Sequence, residues 1–164
     1  MGFSASKELL ATYRLQLGPD LPFDRVGDLL PYFRDLGITH LYLSPCLKAT
    51  AGSTHGYDVV DPAEVNPHLG GREGFERLCE AAAEIGVGLV LDIVPNHMAA
   101  AGRQNPWWWD VLAHGRHSGH AKFFDIRWDH PDPSLRGKVL LPVLGDEIAR
   151  CIASRQIQVR RCGA

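Results

Sequence analysis

Three short β-type runs alternate with two amphipathic helical periods through the first 94 residues, and that alternation leaves few folds open. Residues 11–17 (Ala-Thr-Tyr-Arg-Leu-Gln-Leu) alternate in β fashion and close on the turn-forming Gly18-Pro19-Asp20. Phe23, Val26, Leu29, Leu30, Phe33 and Leu36 then fall at helical spacing, which predicts a helix over 23–36 with Gly37 as its C-terminal cap. Pro31 lies inside it, and a kink or break is expected near Leu30 because the proline ring crowds the carbonyl of Gly27. Residues 38–44 read as a second strand stopped by Pro45, and the Gly-, Pro-, Ser- and Asn-rich stretch 45–71 as a long loop, functional or disordered. A second helix is expected over 72–85, with Phe75, Leu78, Cys79, Ala82 and Ala83 as its apolar face and Gly86 as its stop. Residues 87–94 (Val-Gly-Leu-Val-Leu-Asp-Ile-Val) are almost continuously apolar, as a strand covered on both faces should be. Right-handed crossovers make this β-α-β-α-β series a parallel sheet with helices outside, the opening of either a doubly wound sheet or a barrel. At 164 residues the chain is too short for a complete (β/α)8 barrel, which needs roughly 200 to 250.

The pattern changes after Pro95. Residues 96–135 hold all four Trp and show no clean period. A short strand is expected over 138–144, a helix over 146–154 and a strand over 156–160, and the residues after that carry no folding signal. Lys and Arg number 17 against 19 Asp and Glu, a net charge of -2, which excludes a polybasic nucleic-acid binder. Hydrophobic residues at 45% exclude a disordered chain, and no apolar run approaches the ~20 residues that span a bilayer. The start lacks a basic and then apolar leader, although Met1-Gly2 with Ser6 formally fits a myristoylation pattern. Cys46, Cys79, Cys151 and Cys162 form no C-x-x-C pair; Cys46 and Cys79 lie in apolar stretches and read as buried thiols, and a reducing cytoplasm is expected.

Ligands of parallel α/β folds bind at the carboxyl ends of the strands, and three segments are expected there, the third being Asn105-Pro106-Trp107-Trp108-Trp109-Asp110. Asp92-Ile93-Val94-Pro95-Asn96-His97 places an aspartate inside an apolar strand, where it needs a partner, and delivers Asn96 and His97 to the mouth. Ser53-Thr54-His55-Gly56-Tyr57-Asp58 lies in the long loop; Tyr57 offers a flat face to a sugar ring and Asp58 accepts from hydroxyls, though a packed Tyr and a turn-forming Asp explain the same residues. Trp107, Trp108 and Trp109 cannot all share one helix face, so some pack and at most one or two meet a ligand. His114, His117 and His120 recur every third residue but lack a carboxylate or Cys at ligand spacing within the run, so no metal is expected. Neither a phosphate-binding Gly loop nor a G-x-S-x-G elbow is present.

D-I-V-P-N-H at 92–97 and H-G-Y-D at 55–58 resemble the first signature region and the strand-two loop of the α-amylase family of glycosidases. T-Y-R-L-Q-L, L-Y-L-S-P, G-S-T-H-G-Y-D-V-V-D-P, N-P-W-W-W-D-V-L, F-F-D-I-R-W-D and G-K-V-L-L-P-V-L-G follow in an order similar to the branch of that family that makes trehalose ends on maltooligosaccharides. The likeness runs over about residues 9–158. It implies an α/β fold: the amino-terminal part of a (β/α)8 barrel over 1–95, part of an excursion domain over 96–158, and an unmatched tail over 159–164.

The resemblance also implies a reaction. The reducing-end α-1,4 link of a maltooligosaccharide becomes an α,α-1,1 link by intramolecular transglucosylation, an isomerase reaction with a retaining mechanism. Tyr57 would stack on the sugar, Asp58 and His97 would hydrogen-bond its hydroxyls, and His55 belongs to the same substrate-binding set. Asp92 would orient an arginine from strand four, and Asn96 would support the mouth. The substrate is a maltooligosaccharide or starch-like glucan, no cofactor or metal is required, and the partner enzyme is a maltooligosyltrehalose trehalohydrolase. In the family the nucleophile and the acid/base lie on later strands, so no residue of this chain is assigned as catalytic. Asp110, Asp125, Asp129 and Asp132 are not substitutes. The chain is thus expected to be an amino-terminal fragment or frame-shifted product, inactive alone, with an unpaired apolar strand edge, a tendency to associate, and Asp92 left as a buried charge. The alternatives are a non-catalytic carbohydrate- or partner-binding fragment, or another glucan hydrolase of the same family.

Overall fold

A computed structural model describes residues 8–100, 102–141 and 143–158. Its centre is a parallel sheet of three strands, β1 (Thr12–Leu15), β2 (His40–Leu43) and β5 (Gly88–Leu91), in the order β1-β2-β5. Helix α1 (Phe23–Asp35) connects the first two strands, and α2 (Gly71–Glu84) precedes the third. Strand order follows chain order, with no reversal, so both right-handed crossovers lay their helices on one side of the sheet. That is the wall of a barrel; a doubly wound sheet would reverse direction and carry helices on both sides.

Register shows how the wall is built. Tyr13, Leu41 and Leu89 lie across from one another, as do Leu15, Leu43 and Leu91. These rows face the helices, where Leu15, Leu17, Leu41 and Leu43 pack with Phe23, Val26, Leu30 and Phe33 of α1 and Leu78 and Ala82 of α2. The alternate rows, Thr12-His40-Gly88 and Arg14-Tyr42-Val90, face the other way. Gly88 leaves room for its neighbour: a Cβ there would come within 2.1 Å of the His40 ring, which would have to move.

Both helix ends follow the chain's own signals. After α1, Ile38 N–H donates to Phe33 O and Gly37 N–H to Arg34 O, the double bond of a Schellman cap, with Gly37 at φ +86°. Gly86 and Val87 close α2 the same way, onto Ala83 O and Ala82 O. The expected break at Pro31 does not occur: α1 runs unbroken through it, because Phe23, Val26, Leu30 and Phe33 anchor both sides in the core. On α2 the buried face is Gly74, Leu78 and Ala82, backed by Phe75, Ala81 and Ile85, whereas Ala83 is exposed.

The structure corrects four further expectations. The stretch 45–71 is not a structureless loop; it holds an antiparallel pair, β3 (Leu47–Ala49) and β4 (Val59–Val65), and a 3-10 turn at Pro67–Leu69. Val59 and Val60 are buried and hold β4 down, and Pro62 is tolerated because the ladder around it is irregular. Strand β5 is not covered on both faces. It is an edge strand, with Val90 37%, Leu91 40% and Ile93 67% exposed. The Trp-rich segment does contain regular structure, α3 (Pro106–His114), started by Asn105, whose side chain accepts from Trp108 N–H, and by Pro106 in its first turn. Residues 138–141 and 143–144 form no strand and 156–158 none either, since neither apolar run finds a ladder partner among the described residues. A short helix, α4 (Ile148–Ala153), lies between those runs. The Met1-Gly2-Ser6 pattern, Cys162 and the tail 159–164 lie outside the described residues. Cys46 is buried, and Cys79 only half-buried. No helix among the described residues is long and apolar enough to cross a membrane.

The helix-facing row carries the stability of this wall. Leu41→Ala removes a fully buried side chain and should cost about 2–5 kcal/mol in denaturant unfolding. Ile93→Ala, on the open edge, should stay within about 0.5 kcal/mol.

Candidate functional site

The ladder continues one residue past the strands. Ser44 N–H donates to Leu15 O at 3.0 Å and Asp92 N–H to Leu43 O at 2.9 Å. Ser44 and Asp92 therefore follow Tyr42 and Val90 on the face away from the helices, and Gln16 follows Arg14 there. At this end of the sheet, polar side chains from three strands meet the loop between β3 and β4.

Two side chains of the first strand hold that loop. Gln16 Nε2 donates to the Ser44 hydroxyl at 3.3 Å and to the His55 carbonyl at 3.2 Å. Ser44, almost fully buried, accepts from Leu17 N–H at 2.9 Å. Gly56 lies against Pro45 at φ +78°, and a Cβ there would stand 2.5 Å from the Pro45 carbonyl oxygen. Only glycine fits both the conformation and the gap. The loop so pinned delivers Tyr57 to Asp92: the phenol donates to Asp92 Oδ2 at 2.5 Å, while Arg14 Nη2 donates to the phenolic oxygen at 3.2 Å. The same carboxylate acts on Tyr42: its interaction with Asp92, then burial, pushes the Tyr42 phenol above the ordinary tyrosine range. The Arg14 guanidinium lies 5.8 Å from the Tyr42 ring centre, and its bond to Tyr57 holds it firmly protonated.

The structure brings together only part of the expected set. Tyr57, Asp92 and His55 converge; the His55 ring stacks on Tyr57 with centroids 6.0 Å apart, and His55 Nδ1 accepts from Tyr57 N–H at 3.0 Å. Asp58 turns away into its own loop and accepts from the hydroxyls of Thr50 and Ser53, with His55 Nδ1 at 3.7 Å. Burial raises its carboxyl, but those hydroxyl bonds outweigh burial and hold it below the usual aspartate range. Asn96 and His97 are exposed and bond to each other at 3.0 Å; neither bonds Tyr57 or Asp92 among the described residues. Asp92 is not the buried, partnerless charge expected of it. It is half-exposed, and the Tyr57 phenol donates to it. Arg14, Gln16, Tyr42 and Ser44 went unnoticed in the sequence. Their signal was the two-residue alternation with Leu15, Leu17, Leu41 and Leu43, which puts them on the opposite face once the register is known.

The three tryptophans part ways. Trp108 is buried against Phe124 at 5.0 Å and lines a cavity of about 520 Å3 with Met98 and Leu140. Trp107 stacks on His120 at 5.4 Å, and Trp109, 42% exposed, lies under Arg103 at 4.9 Å. His114 and His120 both lean on Asp110, at 2.8 and 3.2 Å, and the Ser118 hydroxyl bonds it as well. His117 has no polar side-chain partner among the described residues, and no group of three or more His, Cys, Asp and Glu there is arranged to hold a metal ion.

Comparison with known proteins adds the following. The family described as "Alpha amylase, catalytic domain" matches residues 23–142. A relative named putative maltooligosyl trehalose synthase, from Mycobacterium tuberculosis, is 49% identical over 145 residues, 85% of this chain and 18% of its own. The intracellular maltogenic amylase of Bacillus subtilis is 36% identical over 101 residues, 62% of this chain and 16% of its own. Among solved structures, a maltooligosyl trehalose synthase superposes with a TM-score of 0.85 at 42% identity, over 95% of this chain and 21% of its own. The maltooligosyltrehalose synthase of Arthrobacter ramosus gives 0.70 at 45% identity, over 74% of this chain and 18% of its own. The chain thus spans about a fifth of the length of these relatives.

Two predictions test the loop. Gly56→Ala should destabilise the chain by about 1–3 kcal/mol and break the Tyr57–Asp92 contact, read by thermal melting and by NOEs at Tyr57. Asp58 has a folded pKa below its unfolded value of about 3.9, so its contribution is complete above that value and lost as pH falls through the folded pKa. Thr50 and Ser53 resonances should hold still from neutral pH to about pH 4 and move together only below it.

Proposed function

Since the chain belongs to the alpha-amylase family, with its catalytic-domain signature over residues 23–142, we propose that it carries part of the glucan-binding wall of a maltooligosyltrehalose-forming enzyme. The observation that carries the glucan reading is the Tyr57 hydroxyl held on Asp92 at the carboxyl ends of a parallel, barrel-type sheet. The narrower, trehalose-forming assignment is supported by likeness to relatives of that name at 42–49% identity. In this reading Tyr57 stacks on a glucose ring, and His55 fixes the loop that presents it. His97 reaches the sugar from the exposed segment after β5 with Asn96 supporting the mouth beside it, and Asp58 acts on sugar hydroxyls only when a ligand competes with Thr50 and Ser53. Residues 1–95 serve the barrel wall, and 96–158 belong to an excursion beside it.

The proposed reaction moves the reducing-end glucose of a maltooligosaccharide from an α-1,4 to an α,α-1,1 link with retention, an isomerisation. A trehalohydrolase acting on the trehalose-ended product would be the partner enzyme, and a cytoplasmic setting suits the free thiols. Retention needs two carboxyl groups about 5–5.5 Å apart, one free to attack. The carboxylates at this mouth are Asp58 and Asp92, and both are occupied by hydroxyls. The 164-residue chain by itself therefore binds without turnover.

Calorimetry or NMR with maltopentaose tests this. Saturable binding is expected, weakened roughly two- to tenfold by Tyr57→Ala, with no trehalose-ended product formed. Absence of binding overturns the glucan reading; product that tracks the pure protein and disappears with Asp92→Ala overturns the claim of inactivity.

A further inference from the structure

We infer that Arg14 is the positioning residue for Tyr57: its guanidinium occupies the phenolic oxygen as donor, commits the phenol's single proton to Asp92, and so fixes the ring that faces the sugar. The inference deepens the glucan reading and rests on it. A guanidinium has donors only, and a phenol has one proton. With Arg14 Nη2 3.2 Å from the Tyr57 oxygen, that oxygen must accept there, and its proton goes to Asp92 Oδ2 at 2.5 Å. The direction of both bonds follows from chemistry alone.

Each end of this chain of bonds is anchored. Asp92 is tied by its own backbone to Leu43 O at 2.9 Å. Arg14 Nη2 also donates to Gln16 Oε1 at 3.1 Å, and Gln16 Nε2 holds the Ser44 hydroxyl and the His55 carbonyl. The first strand thus holds the 53–58 loop at two points, Gln16 at its backbone and Arg14 at its aromatic tip. Two consequences follow. The Tyr57 hydroxyl is used within the protein, so Tyr57 meets a sugar through its ring and not through a hydrogen bond. The ring also keeps one orientation whether or not sugar is present, which lowers the ordering cost of binding.

The test uses the 164-residue chain with 13C-labelled tyrosine, the Tyr57 Cζ resonance being assigned by its loss in Tyr57→Phe. Arg14→Ala should move that resonance, while those of Tyr13 and Tyr32, which pack on Phe33 of α1, stay in place and report an intact core. Arg14→Lys, which keeps a charged donor, should bring it most of the way back. Maltopentaose affinity should fall in Arg14→Ala and recover in Arg14→Lys. A Tyr57 resonance unmoved by Arg14→Ala overturns the inference. If Arg14→Ala also displaces Tyr13 and Tyr32, Arg14→Lys decides by itself: a Tyr57 resonance near its original position supports the inference, and a displaced one overturns it. If the resonance responds as expected but the unaltered chain gives no saturable response to maltopentaose, the glucan reading fails while the bond from Arg14 to Tyr57 stands.

Discussion

The leucine row on the helix side of the sheet sets what every other strand residue can do. Leu41 and Leu43 are fully buried between the sheet and two helices, and Leu15 and Leu17 extend the row on the first strand. Strand side chains alternate, so anchoring those four assigns Arg14, Gln16, Tyr42 and Ser44 to the opposite face. A one-residue slip in any strand would exchange the two sets and bury an arginine among leucines. The core therefore supplies more than stability. It carries the geometric information that places the polar residues at the mouth, and Leu17, whose backbone N–H donates to the Ser44 hydroxyl, joins the two sets directly.

From that face outward, precision comes from close approach and hydrogen bonding in place of apolar burial. The β3–β4 connection is rich in small polar residues and has little to bury, yet it is fixed at several points. Gly56 lies against the Pro45 carbonyl, Gln16 holds the His55 carbonyl, and Asp58 gathers the Thr50 and Ser53 hydroxyls. Each bond is modest alone, of the order of 1 kcal/mol net. Together they leave Tyr57 one place to go. The same logic governs Asp110 in the Trp-rich segment, where Ser118, His120 and His114 converge on one carboxylate and hold it below the usual aspartate range, the Ser118 bond contributing most.

The first two parallel strands and both long helices were legible because their apolar residues keep a period of 2 or 3.6, the third strand because its run is almost continuously apolar, and the caps because Gly37 and Gly86 stand where helices must stop. The β3–β4 pair was not legible. Pro62 and the surrounding turn residues imitate a loop, and only pairing with Leu47–Ala49 makes Val59–Val65 a strand. The run at 87–94 reads as doubly covered, but coverage depends on neighbours that sequence does not supply, and here Ile93 and Leu91 are open. Of the candidate site, Tyr57, His55 and Asp92 were singled out in the sequence, and the fold brings them together. Arg14 and Tyr42 were passed over because in an alternating strand they look like ordinary solvent-facing positions. In the Trp-rich segment the three adjacent tryptophans were expected to divide between packing and presentation, and packing leaves one of them, Trp109, well exposed.

Asp92 shows how one residue can satisfy the folded wall and still be available to a ligand site. An aspartate in an apolar strand must be compensated, and the expected compensation was an arginine from a further strand. Here the Tyr57 phenol compensates it, with Arg14 behind that phenol. Phenols are neutral donors, so they quench the carboxylate's need for hydrogen bonds without cancelling its charge. The residual negative charge sits half-exposed beside an edge strand whose neighbouring apolar residues, Val90, Leu91 and Ile93, are also open. Arg14, one hydrogen bond further on through Tyr57, supplies the cation of this mouth, so guanidinium, phenol and carboxylate form one connected set.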